Sequence, residues 1–275
     1  LCNLFITACG IAEFESEMDG ERKVEGTSNS PDGRRYVLAP ARISPEDIIF
    51  CIDVGRESMV EMKGTKEPVT RLDAIKHSIL IFINAKLSID TEHRFAFAAL
   101  SSSAAWIKRE FTNNANSAFS ALESLSAAPS SDQADLTDLF TIAGQAAKRS
   151  RAQSRILRVI LIYCRSSVMP YHQWPANQKL FTLDVMYLHD KPGPDNWPQK
   201  VYDVLVDAVE QVSEYEGFTY ESGQNFRGLL RQMSMLLCHP QQRVLQEHMG
   251  IPKSISKVSS VDSAILDESS PVTTQ

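Results

Sequence analysis

Apolar residues fall along this chain in two rhythms. Residues 48–52, Ile-Ile-Phe-Cys-Ile, form an unbroken apolar run that stops at Asp53. Residues 156–164, Ile-Leu-Arg-Val-Ile-Leu-Ile-Tyr-Cys, form a second run, and residues 181–189 the next. Short continuous runs of this kind mark strands buried on both faces. Between them the apolar positions recur at helical spacing. Leu72, Ile75, Ile79, Phe82, Ile83 and Leu87 share one face of a predicted helix over 69–88, which Thr70 and Asp73 can open as a capping box. The first strand is predicted at 47–54 and the second at 93–100. Residues 101–103 then turn into a short strand containing Trp106. Further helices are predicted over 113–125, 135–148, 201–215 and 225–238, with a short strand at 218–221.

Strands that alternate with helices, with continuously apolar central strands, define an α/β fold: a doubly wound, mostly parallel sheet covered on both faces. The connection within 93–108 is too short for a parallel crossover, so one antiparallel edge hairpin is expected. The resulting order, β-α-β-β-α-α-β-α-β-α-β-α, resembles that of the von Willebrand A domain. Residues 35–238 are assigned to this domain. Residues 1–34 are expected to be disordered, since 11–34 are acidic and rich in Gly, Ser and Glu. Residues 239–250 are expected to dock onto a partner. Residues 251–275, rich in Ser, Val and Asp without a period, are expected to be disordered.

Composition narrows the function classes. A length of 275 residues suits one large domain or two small ones, and a net charge of −6 argues against non-specific nucleic-acid binding. Cys2, Cys9, Cys51, Cys164 and Cys238 are odd in number and scattered, two of them inside apolar runs. They read as buried free thiols in a reducing compartment. No Cys-x-x-Cys pair or His/Cys cluster has zinc spacing. No stretch approaches the roughly 20 apolar residues of a membrane span. Residues 1–10 are apolar but short and carry no basic leader, so no signal peptide is read there.

The candidate chemistry lies where the first strand ends. Open α/β sheets bind ligands at that edge. In von Willebrand A domains the strand runs into Asp-x-Ser-x-Ser, whose carboxylate and hydroxyls hold Mg²⁺. A Thr before the third helix and an Asp after the fourth strand complete the set. Here Asp53 is kept, but Gly55 and Glu57 stand at the hydroxyl positions, and Ala134 stands where the Thr belongs. Tyr163-Cys164-Arg165 replaces Thr-Asp-Gly, so a thiol takes the carboxylate position beside a cation. Thiols are poor ligands for hard cations, and a guanidinium repels them. A degenerate site without metal is expected, with Asp53 kept to cap loops or to pair with an arginine. The alternative is a rearranged site using Asp53, Glu57 and Asp135.

Other segments carry two readings each. The basic residues Lys148, Arg149, Arg151, Arg155 and Arg158 fit an import signal or nucleic-acid patch. A solvated helix end is favoured, because no aromatic residues interleave with the charges. His172 or His189 with Cys164 would suggest a thiol nucleophile, but a buried strand-end Cys is expected to be inert. Residues 190–198 hold three prolines and place Trp197 at the tip of a stiff loop, either as a partner anchor or folded back. Pro240 ends the last helix and leaves an extended segment suited to a partner's groove.

Five features together resemble the MERIT family, the von Willebrand A-like subunit of the BRISC and BRCA-A deubiquitinase assemblies. They are the Asp53-x-x-x-Glu57 loop, the Trp106 hairpin, the strand from Arg158 to Ser166, the strand from Asp184 to His189, and the His239-Pro-Gln-Gln-Arg243 exit. The likeness runs over 44–243. It implies a scaffold that is not an enzyme and has no cofactor. In that family a separate JAMM-type zinc protease, with a pseudo-enzyme partner, cleaves Lys63-linked ubiquitin chains. The von Willebrand A-like subunit binds the ubiquitin-conjugating-enzyme-like scaffold subunit and keeps the assembly intact. The implied partner contacts here are His239, Pro240 and Arg243, with Trp197 as a further anchor. The implied setting is DNA-damage signalling and deubiquitination in nucleus and cytoplasm, with no direct nucleic-acid or membrane contact. The main alternative is a von Willebrand A-type ubiquitin receptor such as the proteasome's, for which the tail offers only Ala264-Ile-Leu-Asp-Glu268.

Overall fold

The computed structural model describes residues 43–129 and 131–249, so the expectations for 1–34 and 251–275 lie outside the described residues. In chain order the elements are β1 (Glu46–Asp53), α1 (Arg71–Ile89), β2 (Arg94–Leu100), β3 (Ala104–Thr112), α2 (Ala115–Glu123), α3 (Thr137–Ala152), β4 (Ile156–Tyr163), β5 (Thr182–Leu188), α4 (Pro198–Val212), β6 (Thr219–Ser222) and α5 (Phe226–Met235). Short 3₁₀ turns follow β1 at Arg56–Met59 and α5 at Pro240–Gln242 and Gln246–His248. None of the described helices is long and apolar enough to cross a membrane.

The strands form one sheet in the order β3-β2-β1-β4-β5-β6. Every neighbouring pair is parallel except β2 and β3. This is the doubly wound α/β sheet with one antiparallel edge hairpin, the von Willebrand A arrangement, that the apolar pattern predicts. All residues of β1 are buried. Ile48, Phe50 and Ile52 face a layer made by α1, α2 and α5, whereas Ile49 and Cys51 face α3 and α4. Phe50 stacks on Phe97 at 6.0 Å and meets Phe82 edge-on at 5.5 Å. Each such ring contributes roughly 1.5–3 kcal/mol by leaving water.

Local chemistry starts α1 and α5 close to the predicted positions, whereas α4 begins at Pro198, before the predicted start at 201. Thr70 accepts the Asp73 amide at 3.1 Å to cap α1. Asn225 accepts the Arg227 amide at 3.0 Å to cap α5, and Pro198 opens α4.

One expected element is absent. The predicted order has a helix between the fourth and fifth strands, yet residues 164–181 cross without one. Pro170 and Pro175 fall inside this stretch and interrupt any helical ladder. Its backbone instead bonds the start of α3, with Leu136 donating to the Tyr171 carbonyl at 2.8 Å and Tyr171 to that of Ala134 at 3.0 Å. Trp174 then covers the face a crossover helix would cover, its ring 6.4 Å from Phe140 and 5.9 Å from Phe181. Gly144 on α3 makes room for it: a Cβ there would lie 2.6 Å from the indole.

The two outer strands end differently. β3 carries Lys108, Arg109 and Glu110, and such charges discourage a further strand. At β6, the side-chain amide of Gln246 accepts from the Thr219 N–H and donates to the Thr219 carbonyl, both at 2.8 Å. A side chain thus takes the place of a neighbouring strand.

Candidate functional site

Asp53 is delivered by the last position of β1 to the carboxyl edge of the sheet, fully buried. Its Oδ1 accepts the Gly55 amide at 2.9 Å and its Oδ2 the Cys164 amide at 3.0 Å. Arg165 donates to the same carboxylate through Nη2 at 3.0 Å and Nε at 3.1 Å. The guanidinium also donates to the carbonyls of Ser101 and of Gln133, the latter at 2.6 Å. One cation therefore ties together the loops that follow β1, β2 and β4 and the loop that precedes α3. Burial alone would lower the Arg165 pKa, but Asp53 raises it above its ordinary value.

The residues do not fit a divalent cation. A Cβ at Gly55 would sit 2.8 Å from Arg165 Nε, so a serine at 55 and the arginine exclude each other. Ala134 is buried and offers no side-chain oxygen. The Asp135 carboxylate accepts the Thr137 amide at 2.8 Å, and Glu57 rides on the half-exposed 3₁₀ turn. Among the described residues no group of His, Cys, Asp and Glu is placed to hold a metal. Asp53 is paired with an arginine, and the rearranged set of Asp53, Glu57 and Asp135 is not assembled.

Cys164 is not placed to act as a thiol nucleophile. Burial, with the charge of Asp53, pushes the Cys164 thiol well above its usual range. His172 is engaged with the Trp174 amide and the Phe140 ring, and His189 with the Asp190 carbonyl and the Tyr187 ring. Beside Cys164 lies a cation that sequence reasoning missed. Arg71, fully buried, pairs with Asp190 and donates to the Cys164 carbonyl at 3.3 Å.

At the opposite edge of the sheet lies a second, larger group of buried charges. Glu46 pairs with Lys86 and, at 3.2 Å, with Arg158. Arg158 reaches Asp184, which also takes both terminal nitrogens of Arg243 at 2.6 and 2.9 Å. The Arg243 guanidinium lies 4.2 Å from the centre of the Phe218 ring. Burial alone would raise the Asp184 carboxyl, but Arg158 and Arg243 hold it below the usual range. His239 shares a hydrogen bond with the Ser44 carbonyl at 2.9 Å, and burial depresses its pKa to about 4.

This arrangement changes the view of the C-terminal segment. His239, Pro240 and Arg243, expected to meet a partner, are buried against their own domain. Arg243 turns inward because Asp184 would otherwise be an underpaired carboxylate in the core. What the segment presents outward is Val244, 50 % exposed, and Leu245, 48 % exposed. Trp197 is 46 % exposed at the start of α4, so this anchor candidate does reach solvent. The basic stretch is divided. Arg155 pairs with Asp47 at 2.7 Å and Arg158 is in the core, leaving Lys148, Arg149 and Arg151 outside. The stretch is therefore solvated only in part. The signal for the buried pairs was present in the sequence: Arg158 and Asp184 each interrupt an otherwise apolar strand.

No family model matches the chain. It is 24% identical over 259 residues to BRISC and BRCA1-A complex member 1 of Xenopus laevis, across 86% of this chain and 76% of that protein. To the Homo sapiens protein of the same name it is 24% identical over 266 residues, across 87% of this chain and 79% of the relative. The resemblance carried by the strand and exit motifs is thus found over most of the chain. Among solved structures, the PilB minor pilin from Streptococcus sanguinis shares the fold, with a TM-score of 0.50 at 11% identity, across 74% of this chain and 62% of that one.

Proposed function

We propose that this chain is a non-catalytic scaffold subunit of a Lys63-specific deubiquitinase assembly of the BRISC and BRCA-A type. The observation that carries this reading is the similarity, over 86% of the chain, to a protein named as a member of that complex. The site geometry is consistent with it. Asp53 and Arg165 neutralise each other, Cys164 is an inert thiol, and the carboxyl edge serves as a rigid surface.

In this reading the domain binds the ubiquitin-conjugating-enzyme-like subunit and so holds the JAMM-type zinc protease and its pseudo-enzyme partner in one particle. It acts in DNA-damage signalling and deubiquitination, in nucleus and cytoplasm. Trp197 and Val244 are the side chains assigned to contact, because each combines apolar surface with exposure. The test is a tagged pull-down from cell extract with partners identified by mass spectrometry. Stoichiometric recovery of the zinc protease and the ubiquitin-conjugating-enzyme-like scaffold is expected, and Trp197→Ala is expected to reduce it several-fold. Recovery of proteasome subunits would favour a ubiquitin receptor instead, and recovery of nothing stoichiometric would remove the scaffold reading.

A further inference from the structure

A cleft of about 730 Å³ opens between the C-terminal end of α4 and the chain around β6. Tyr202, Val206 and Leu245 line its walls, and Glu210, Glu214 and Glu216 its rim. Tyr202, Val206 and Glu210 recur every fourth residue, so they form one stripe along α4. The charges are unbalanced. Arg151 pairs with Glu214 at 2.7 Å, but among the described residues no cation pairs with Glu210 or Glu216. Lys179, the one lysine or arginine lining the cleft, has its ammonium on the Glu210 carbonyl at 3.0 Å. Glu210 also stands in the last turn of α4, where the negative end of the helix dipole disfavours a carboxylate and no basic residue offsets it. The chain therefore holds two carboxylates beside an apolar wall, at a cost that an incoming cation relieves.

The edge of β6 decides the form of what enters. The Thr219 N–H and carbonyl are taken by the Gln246 amide, and the Glu221 carbonyl by the Gln232 amide. An added strand would need those groups, so the occupant docks by its side chains. We propose that the cleft receives an amphipathic helix of a partner protein, its apolar face on Tyr202, Val206 and Leu245 and its lysines or arginines on Glu210 and Glu216. Anchors three or four residues apart on such a helix match the spacing of the α4 stripe. Trp197 caps the other end of α4, so the cleft is a second contact surface and does not depend on the deubiquitinase assembly.

The probe is a fluorescein-labelled peptide of leucine and lysine, Leu-Lys-Lys-Leu-Leu-Lys-Leu repeated twice, titrated against the full chain and read by anisotropy. Glu210→Gln with Glu216→Gln is expected to weaken binding at least about tenfold, and Leu245→Ser at least about fivefold. Glu110→Gln with Glu123→Gln, at two exposed carboxylates outside the cleft, is expected to change it less than about twofold. Thermal midpoints are expected to stay unchanged in all three. A proline at the centre of the peptide, which breaks its helix, is expected to weaken binding as strongly as the cleft variants do. Equal losses in the two double variants, no binding by the peptide, or indifference to the proline would overturn the proposal. So would a dimer of the chain that Glu210→Gln with Glu216→Gln dissociates in sedimentation, which would assign the cleft to a second copy. Carbodiimide coupling of Glu210 to a lysine of the same chain other than Lys179 would assign it to the chain itself, with the same consequence.

Discussion

Arg165 carries more of the carboxyl edge than any other side chain, because it satisfies Asp53 and also bonds the carbonyls of Ser101 and Gln133. Replacing Arg165 with Met strands a buried carboxylate, and a loss of about 3–5 kcal/mol is expected from urea titration. Adding Asp53→Asn is expected to recover part of that loss, since the two residues act as a pair. A second prediction concerns His239. Its folded pKa of about 4 lies below the ordinary value of 6.5, so the unfolded chain takes up the proton first. Stability is then complete above pH 6.5 and is lost as pH falls toward 4, by at most about 3 kcal/mol from this group. His93 is shifted in the same direction, so His239→Gln is expected to flatten only part of the slope between pH 6.5 and 4.5. Glu46 lies below its ordinary 4.5, so its own contribution is lost only below that pH, which separates the two groups in a pH series of thermal midpoints. Of these residues, the missing hydroxyls at 55 and 57 and the arginine after Cys164 were legible in the sequence, because they follow recognisable strands. Arg71 was not legible. An arginine on a helix start gives no hint that it will be buried against an Asp placed 119 residues further on.

The elements repeat this division between local and distant causes. Strands β1, β4 and β5 declare themselves by apolar runs that a charged residue breaks at most once between Ile48 and Ile52, Ile156 and Tyr163, and Leu183 and Leu188, and α1 by spacing and its cap. The crossover from β4 to β5 does not, because its place is taken by one aromatic ring in a gap left by one glycine. Gly144→Ala tests this arrangement. In an isolated helix the change would gain up to about 1 kcal/mol. Here the new methyl meets the Trp174 ring, and displacement of that ring is expected to cost about 1–3 kcal/mol. A net loss by thermal unfolding, together with a changed tryptophan emission, is the expected outcome. The C-terminal segment makes the same point. The sequence shows a His-Pro-x-x-Arg exit but cannot say which way the arginine turns, since its carboxylate lies 59 residues away in β5. Arg243→Ala leaves Asp184 with Arg158 as its one cation beside the Phe218 amide and is expected to cost about 2–4 kcal/mol. Hydrogen exchange is expected to rise across 239–248 before the sheet itself opens.

On the scale of the whole molecule, charge has been moved inward at both edges of an otherwise apolar sheet. Asp53 and Arg165 close the carboxyl edge, while Glu46, Lys86, Arg158, Asp184 and Arg243 brace the other. A domain closed in this way is expected to be indifferent to hard cations. Millimolar Mg²⁺ or Ca²⁺ should move its thermal midpoint by less than about 1 °C, which differential scanning fluorimetry can read. The last stretch of the domain has a different duty at β6. There the Gln246 amide takes up both hydrogen bonds that Thr219 offers outward. Once Arg243 lets go, that amide leaves too, and the sheet acquires a raw border. A border of unpaired backbone recruits the nearest strand, and in a concentrated solution that strand belongs to another molecule. Loss of the clamp should therefore register first as turbidity, before any loss of secondary structure, and Gln246→Leu should coagulate on warming at temperatures where the unaltered chain stays clear.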